Sequence, residues 1–242
     1  MITPILSIKN FTQKYNDFIA VDDLSLSVNP GEMYGFIGHN GAGKSTTIKS
    51  IAGILPVEQG EIMIDGHSII TERKHCQSII AYVADNPDIY GYMTGIDYIN
   101  FIANIYKVPE KLRKERCRKF ADAFEITEYL GDLISSYSHG MKQKVALIAA
   151  FVHEPKLLIL DEPFVGLDPL ASSVLKRLMR EHCETGNAVL FSTHVLEVAQ
   201  SLCDKIAMLN HGHLLIEGDV HELTKDSSLE ELFLKKVGNE HA

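Results

Sequence analysis

The chain has 242 residues, 45% hydrophobic and 23% charged, enough for one large α/β domain, or a core with an inserted subdomain, to bury its interior without disulfide or metal staples. A formal net charge of −9 argues against broad attraction to nucleic acid or anionic lipid. No run approaches the ~20 apolar residues that cross a bilayer, the start Met1-Ile2-Thr3-Pro4 lacks the features of a signal peptide, and Cys76, Cys117, Cys183 and Cys203 form no C-x-x-C pair, so a cytosolic chain with free thiols is expected.

The first part reads as β-rich: Leu6 to Phe11, then the alternating Leu24, Leu26 and Val28, then the apolar run Met33 to Ile37. That run enters Gly38-His39-Asn40-Gly41-Ala42-Gly43-Lys44-Ser45-Thr46, which matches the phosphate-binding loop G-x-x-x-x-G-K-[ST] at every fixed position. Glycines let such a loop turn its N–H groups inward, where they and the N-terminus of the following helix, expected over Ser45 to Ala52, attract phosphate oxygens. Lys44 is expected to reach the β- and γ-phosphates of a nucleoside triphosphate and the Ser45 hydroxyl to ligate Mg²⁺. Ile62 and Ile64 continue the β pattern to the turn Asp65-Gly66.

Helical spacing then takes over. Ile96, Ile99, Ile102, Ala103 and Tyr106 form one stripe, Cys117, Phe120, Ala121 and Phe124 another after the breaker Pro109, and Val145, Ile148 and Ala149 a third. The stretch 86–153 therefore reads as a helical insertion dividing a core of 1–85 and 154–223, with a tail over 224–242 that contains the short helix-like segment Leu229 to Lys236. Buried-strand character returns at Leu157 to Leu160, at Ala188 to Phe191, and at Ile206 to Leu209, which pairs through a His211-Gly212 turn with Leu214 to Ile216. There are no internal repeats, low-complexity tracts or long linkers.

The strand Leu157 to Leu160 runs into Asp161-Glu162-Pro163, where a phosphate-loop ATPase needs an acid to hold Mg²⁺ through its water shell. Asp161 suits that role, and Glu162 would face the γ-phosphate and polarise the attacking water as general base; the competing reading is a pair of acids at a strand end. His194 in Ser192-Thr193-His194 lands at the C-terminal edge of the sheet, where α/β ligands bind and a γ-phosphate can be reached.

Taken in order, the phosphate loop, Tyr137-Ser138-His139-Gly140-Met141-Lys142-Gln143-Lys144, Leu158 to Pro163, Gly166-Leu167-Asp168-Pro169 and Ser192 to His194 resemble the ATP-binding subunit of an ABC transporter over almost the whole chain. The resemblance implies an α/β fold with a phosphate-loop NTPase core, an N-terminal antiparallel β-subdomain and an inserted helical subdomain. It implies ATP and Mg²⁺ as cofactors. Ser138 and Gly140 would belong to the signature motif that contacts ATP on a second subunit, Asp168 to the loop joining the subunits, and His194 would be the switch histidine. A hydroxyl and a helix N-terminus at Ser138-His139-Gly140 suit that contact. Tyr15 falls where the family stacks an aromatic ring on adenine, with Phe11 and Phe18 as rivals.

The sequence departs from the family in three motifs. The signature reads Tyr137-Ser138-His139-Gly140 instead of Leu-Ser-Gly-Gly; His39 stands where proline is common, its side chain expected to point away from the phosphates; and Asp85 replaces the usual glutamine. A carboxylate at position 85 can ligate the metal directly or through water, but it adds negative charge beside phosphate. Asp85 and the Gly140 to Lys144 form resemble bacterial export-type subunits. The implied protein is an ATPase, monomeric until ATP is sandwiched between two copies or between it and a different ATPase subunit, working on the inner face of the cell membrane with a separate transmembrane permease and no nucleic acid. The alternatives are a soluble ABC ATPase acting on ribosomes or DNA and a non-hydrolysing regulatory module. A groove lined by Asp85 to Met93 and the helix start at Gly95 is expected to receive a short helix of the permease through Ile89, Tyr90, Tyr92 and Met93, against a reading in which these pack within the domain.

Overall fold

The computed structural model describes residues 3–240. Its strands are β1 (Leu6–Tyr15), β2 (Phe18–Val28), β3 (Met33–Ile37), β4 (Gln59–Ile64), β5 (His67–Ser68), β6 (Ile80–Val83), β7 (Leu157–Leu160), β8 (Ala188–Thr193), β9 (Lys205–Asn210) and β10 (His213–Asp219). Its helices are α1 (Lys44–Ile51), α2 (Arg73–Ser78), α3 (Gly95–Ile105), α4 (Glu110–Ala123), α5 (His139–Val152), α6 (Pro169–Glu184), α7 (Leu196–Leu202), α8 (Val220–Leu223) and α9 (Leu229–Glu240).

The strands form an antiparallel sheet of order β2-β1-β4-β5 and a second sheet of order β10-β9-β3-β8-β7-β6, parallel except for the β9–β10 hairpin. Every residue of β3, β7 and β8 is buried, because both faces of the second sheet are covered. Tyr34, Phe36, Ile159 and Leu190 pack in the core shared with the antiparallel sheet, whereas Met33, Ile37, Leu158, Leu160 and Phe191 pack in the core shared with the helices. Alternate side chains thus serve opposite layers, which is why these strands read as continuous apolar runs.

Helices α3, α4 and α5 fall between β6 and β7, and α5 is buried without interruption from Val145 to Val152. It is a central helix rather than an amphipathic one. The first strand runs on to Tyr15 rather than stopping at Phe11: register shifts after Ile8, with Asn10 at φ 49°, break the alternation that marks a strand. The tail is tied down through Leu229, which is fully buried and whose N–H donates to Gln200 Oε1 at 3.0 Å. All four cysteines are buried free thiols. Among the described residues no helix is long and apolar enough to cross a membrane.

Candidate functional site

The phosphate loop leaves the C-terminal end of β3 and closes on Gly43, which precedes α1 with φ 103°. A Cβ there would stand 2.6 Å from the Ala20 carbonyl oxygen, so glycine is required both for the backbone angle and for the close approach of β2. Helix α1 then begins without a side-chain cap and without an acid in its first turn, leaving its first N–H groups free for an anion. The Lys44 ammonium is buried and donates to the carbonyls of Gly38 at 2.6 Å and His39 at 3.2 Å. Burial lowers its pKa, opposed by the charges of Glu162 and Asp161.

Asp161 and Glu162 follow β7 directly. The Asp161 N–H donates to Val83 O at 2.9 Å, joining the ends of β7 and β6. Its buried carboxylate accepts from Ser192 Oγ at 2.5 Å, and that hydroxyl in turn accepts from the Glu162 N–H at 2.9 Å. Glu162 has φ 46°, a left-handed turn that aims its carboxylate back over the loop. Its Oε1 lies 3.7 Å from Lys44 Nζ and 3.0 Å from His194 Nδ1 yet makes no hydrogen bond, so the oxygen keeps its accepting capacity beside the Lys44 charge.

These groups surround a cavity of about 300 Å³ lined by the loop from His39 to Thr46, by Asp85, Asp161 and Glu162, and at its mouth by Tyr15, Phe18 and Ala20. Tyr15 and Phe18 are exposed and flank the hairpin turn, whereas Phe11 is fully buried and cannot stack on a ligand. His39 does not turn wholly away: its ring pairs with Asn210 Oδ1 at 3.0 Å and the Asn40 carbonyl at 2.7 Å and lines the cavity. The hydroxyl and carboxylates of Ser45, Asp161 and Asp85 are hard oxygen donors, few in number. That set fits Mg²⁺, which keeps several waters and takes its remaining ligands from phosphate. A second cavity of about 300 Å³ adjoins the loop at Gly38, His39 and Asn40 and is walled by His194, Leu196 and Phe233 of α9.

Ser138, Gly140 and Asp168 sit elsewhere. Ser138 caps α5, its Oγ accepting from the Met141 N–H at 3.3 Å. Gly140 lies against the loop before α6, where a Cβ would come 2.7 Å from the Gly166 carbonyl oxygen. Asp168 caps α6 through the Ala171 N–H at 2.7 Å and pairs with Lys144 at 3.2 Å, and these two contacts hold its carboxyl below the usual range. None of the three lines the cavity of its own chain. The groove also differs from the expected one. A cavity of about 220 Å³ lies between Ala84, Pro87 and Ile89 on one side and Tyr98, Ile102, Ala146 and Ala150 on the other, and a larger one of about 710 Å³ continues past Tyr106 to α2. Ile89 is buried and Met93 packs on the core, while Tyr90 and Tyr92 stand exposed, stacked at 5.6 Å. Ser192 was the residue missed in the sequence. Its position two residues before His194 on an apolar strand was the available signal.

The family model described as "ABC transporter" matches residues 21–165, more than half of the chain. The chain is 34% identical over 236 residues to "ABC-type transporter ATP-binding protein EcsA" of Bacillus subtilis (strain 168), covering 96% of each. It is 32% identical over 219 residues to "Linearmycin resistance ATP-binding protein LnrL" of the same organism, covering 90% of this chain and 70% of the relative. Among solved structures, "Structure of ATP binding subunit of ABC transporter" superposes with a TM-score of 0.92 at 33% identity, covering 96% of this chain and 99% of the other.

Proposed function

This chain belongs to the ATP-binding subunits of ABC transporters and is an ATPase, and from that premise we propose that it powers export through a separate transmembrane partner while lying on the inner face of the membrane. The observation that carries the chemistry is the placing of Glu162 Oε1 between Lys44 Nζ and His194 Nδ1 at the wall of the phosphate-loop cavity. Loop N–H groups and Lys44 hold the β- and γ-phosphates, and Tyr15, with Phe18 beside it, stacks on adenine. Ser45, Asp161 and Asp85 would hold Mg²⁺, which when bound would supply positive charge against the phosphates. Glu162 orients water for in-line attack on the γ-phosphorus and accepts its proton as the bond to ADP breaks, and His194 bonds the γ-phosphate. Ser192 fixes the Asp161 carboxylate and the Glu162 backbone from below.

Ser138, Gly140 and Asp168 act across a dimer interface, each phosphate loop facing the partner's signature. Their absence from the wall of their own chain's cavity supports this reading. Export is supported by Asp85, by the Gly140 to Lys144 form and by the relative named for linearmycin resistance. The permease helix enters the groove between the Asp85 segment and α3–α5, near the exposed Tyr90 and Tyr92, the first of which meets Tyr98 of the groove wall edge-on. Replacing both tyrosines by alanine should release the chain from membranes holding the partner and abolish transport, while the purified chain keeps its ATPase. Retained membrane binding with lost hydrolysis defeats the docking reading, and co-sedimentation of the wild type with ribosomes instead of membranes defeats the transport reading.

A further inference from the structure

Gln143, on the second turn of α5, is completely buried, and neither its Oε1 nor its Nε2 has a hydrogen-bond partner. A side-chain amide removed from water with both ends unpaired destabilises the arrangement that contains it. Nothing in the packing asks for an amide here, since Val145 to Val152 are all buried and all apolar. Helical spacing sets Gln143 between two faces of α5. Ala146 and Ala150, three and seven residues on, line the cavity under the Asp85 segment. Gly140, three residues back, lies against the Gly166 carbonyl, and the adjacent Lys144 pairs with Asp168 at 3.2 Å. The amide therefore stands between the segment carrying Asp85 at the nucleotide cavity and the segment carrying Asp168.

We propose that Gln143 is a positioning residue that latches the signature helix: its amide pairs with backbone groups of these flanking segments when nucleotide draws them in. The unpaired amide raises the free energy of the open arrangement, and the new hydrogen bonds lower that of the closed one. Both effects bias the same two-state element toward closure. The latch rests on the reading proposed above, in which nucleotide brings the phosphate loop and the signature segments together across the dimer interface.

Gln143→Met and Gln143→Leu keep the volume and remove the amide. Melting temperatures are measured for wild type and variants, without nucleotide and with Mg²⁺ and the non-hydrolysable analogue adenylyl imidodiphosphate, together with steady-state ATPase. The nucleotide-free melting temperature should hold or rise by about 2–4 °C in at least one variant. The increment produced by the analogue should fall below half of the wild-type increment, and turnover should drop about tenfold, the size of a ~1.4 kcal/mol coupling. A purely structural glutamine would instead lower the nucleotide-free melting temperature and leave the increment alone. The latch is overturned if both variants melt lower than wild type without nucleotide, or if a variant that folds keeps the wild-type increment. A wild type that gains nothing from the analogue overturns instead the nucleotide binding on which the proposed function rests.

Discussion

The two halves of the nucleotide machinery are built differently within one chain. The phosphate-loop half is assembled inward: Lys44 and Asp161 are buried, Glu162 is nearly so, and contacts from β6, β7 and β8 hold them around one cavity. The signature half is assembled outward. Ser138 and Asp168 are exposed caps on α5 and α6, and their segments meet where Gly140 lies against the Gly166 backbone and Lys144 pairs with Asp168. The first half has its geometry fixed by a sheet edge; the second, on the function proposed above, presents its caps to whatever is brought to it. This division suits a switch in which chemistry and assembly are separately controlled.

Glu162→Gln tests the inward half most severely. Turnover, read as phosphate release, should fall by about 10²–10⁴ because the general base is lost while Lys44 and Asp161 remain to bind nucleotide. An ATP-dependent doubling of mass by light scattering should accompany it. Wild-type turnover in this variant would take Glu162 out of the reaction.

Gly140→Ala tests the outward half. The added Cβ meets the Gly166 carbonyl oxygen at 2.7 Å, and relieving such overpacking in a backbone contact costs about 1–3 kcal/mol. Turnover should fall about ten- to a hundredfold with nucleotide affinity of the monomer unchanged by equilibrium titration. A loss of monomer affinity equal to the loss of turnover would mean that the two halves are not separate.

The mildest test is at the far end of α5, where His153 stacks on Tyr106 at 3.7 Å and anchors the signature helix. Burial, then the charges of neighbouring His182 and Arg116, lowers the His153 pKa to about 4. The folded state thus prefers the neutral ring. Stability is fully present above the unfolded value near 6.5 and is lost as pH falls from there toward about 4, because the unfolded chain takes up the proton first. Partial contact of the ring with water keeps the effect on the order of 1–2 kcal/mol. His153→Phe keeps the stack and should flatten denaturant stability between those pH values, leaving the smaller contribution of His182; an unchanged pH dependence would separate the anchor from any titration.

Local signals carried far in this chain. The phosphate loop was legible because its backbone demands glycine at fixed positions, and the β3, β7 and β8 runs because burial on both faces leaves no room for polar residues. Helix α6, not placed above, was equally readable from Asp168 before Pro169, a cap followed by proline, and from Ala171, Leu175, Leu178, Met179 and Cys183 at helical spacing. Four-residue β6 is too short to show a period, and the bulges after Ile8 hid the end of β1.

By itself the sequence determined the family and the order of motifs, and it singled out the candidates for phosphate and metal, since those depend on residue type and short-range backbone geometry. Only the tertiary structure decided which aromatic rings border the cavity, that Ser192 braces both acids, that Ile89 and Met93 turn inward while Tyr90 and Tyr92 face out, and that Gln143 is buried without a partner. Each of these depends on segments tens of residues apart meeting across a sheet edge or a helix face, and the depth at which a side chain comes to rest is set by what packs over it.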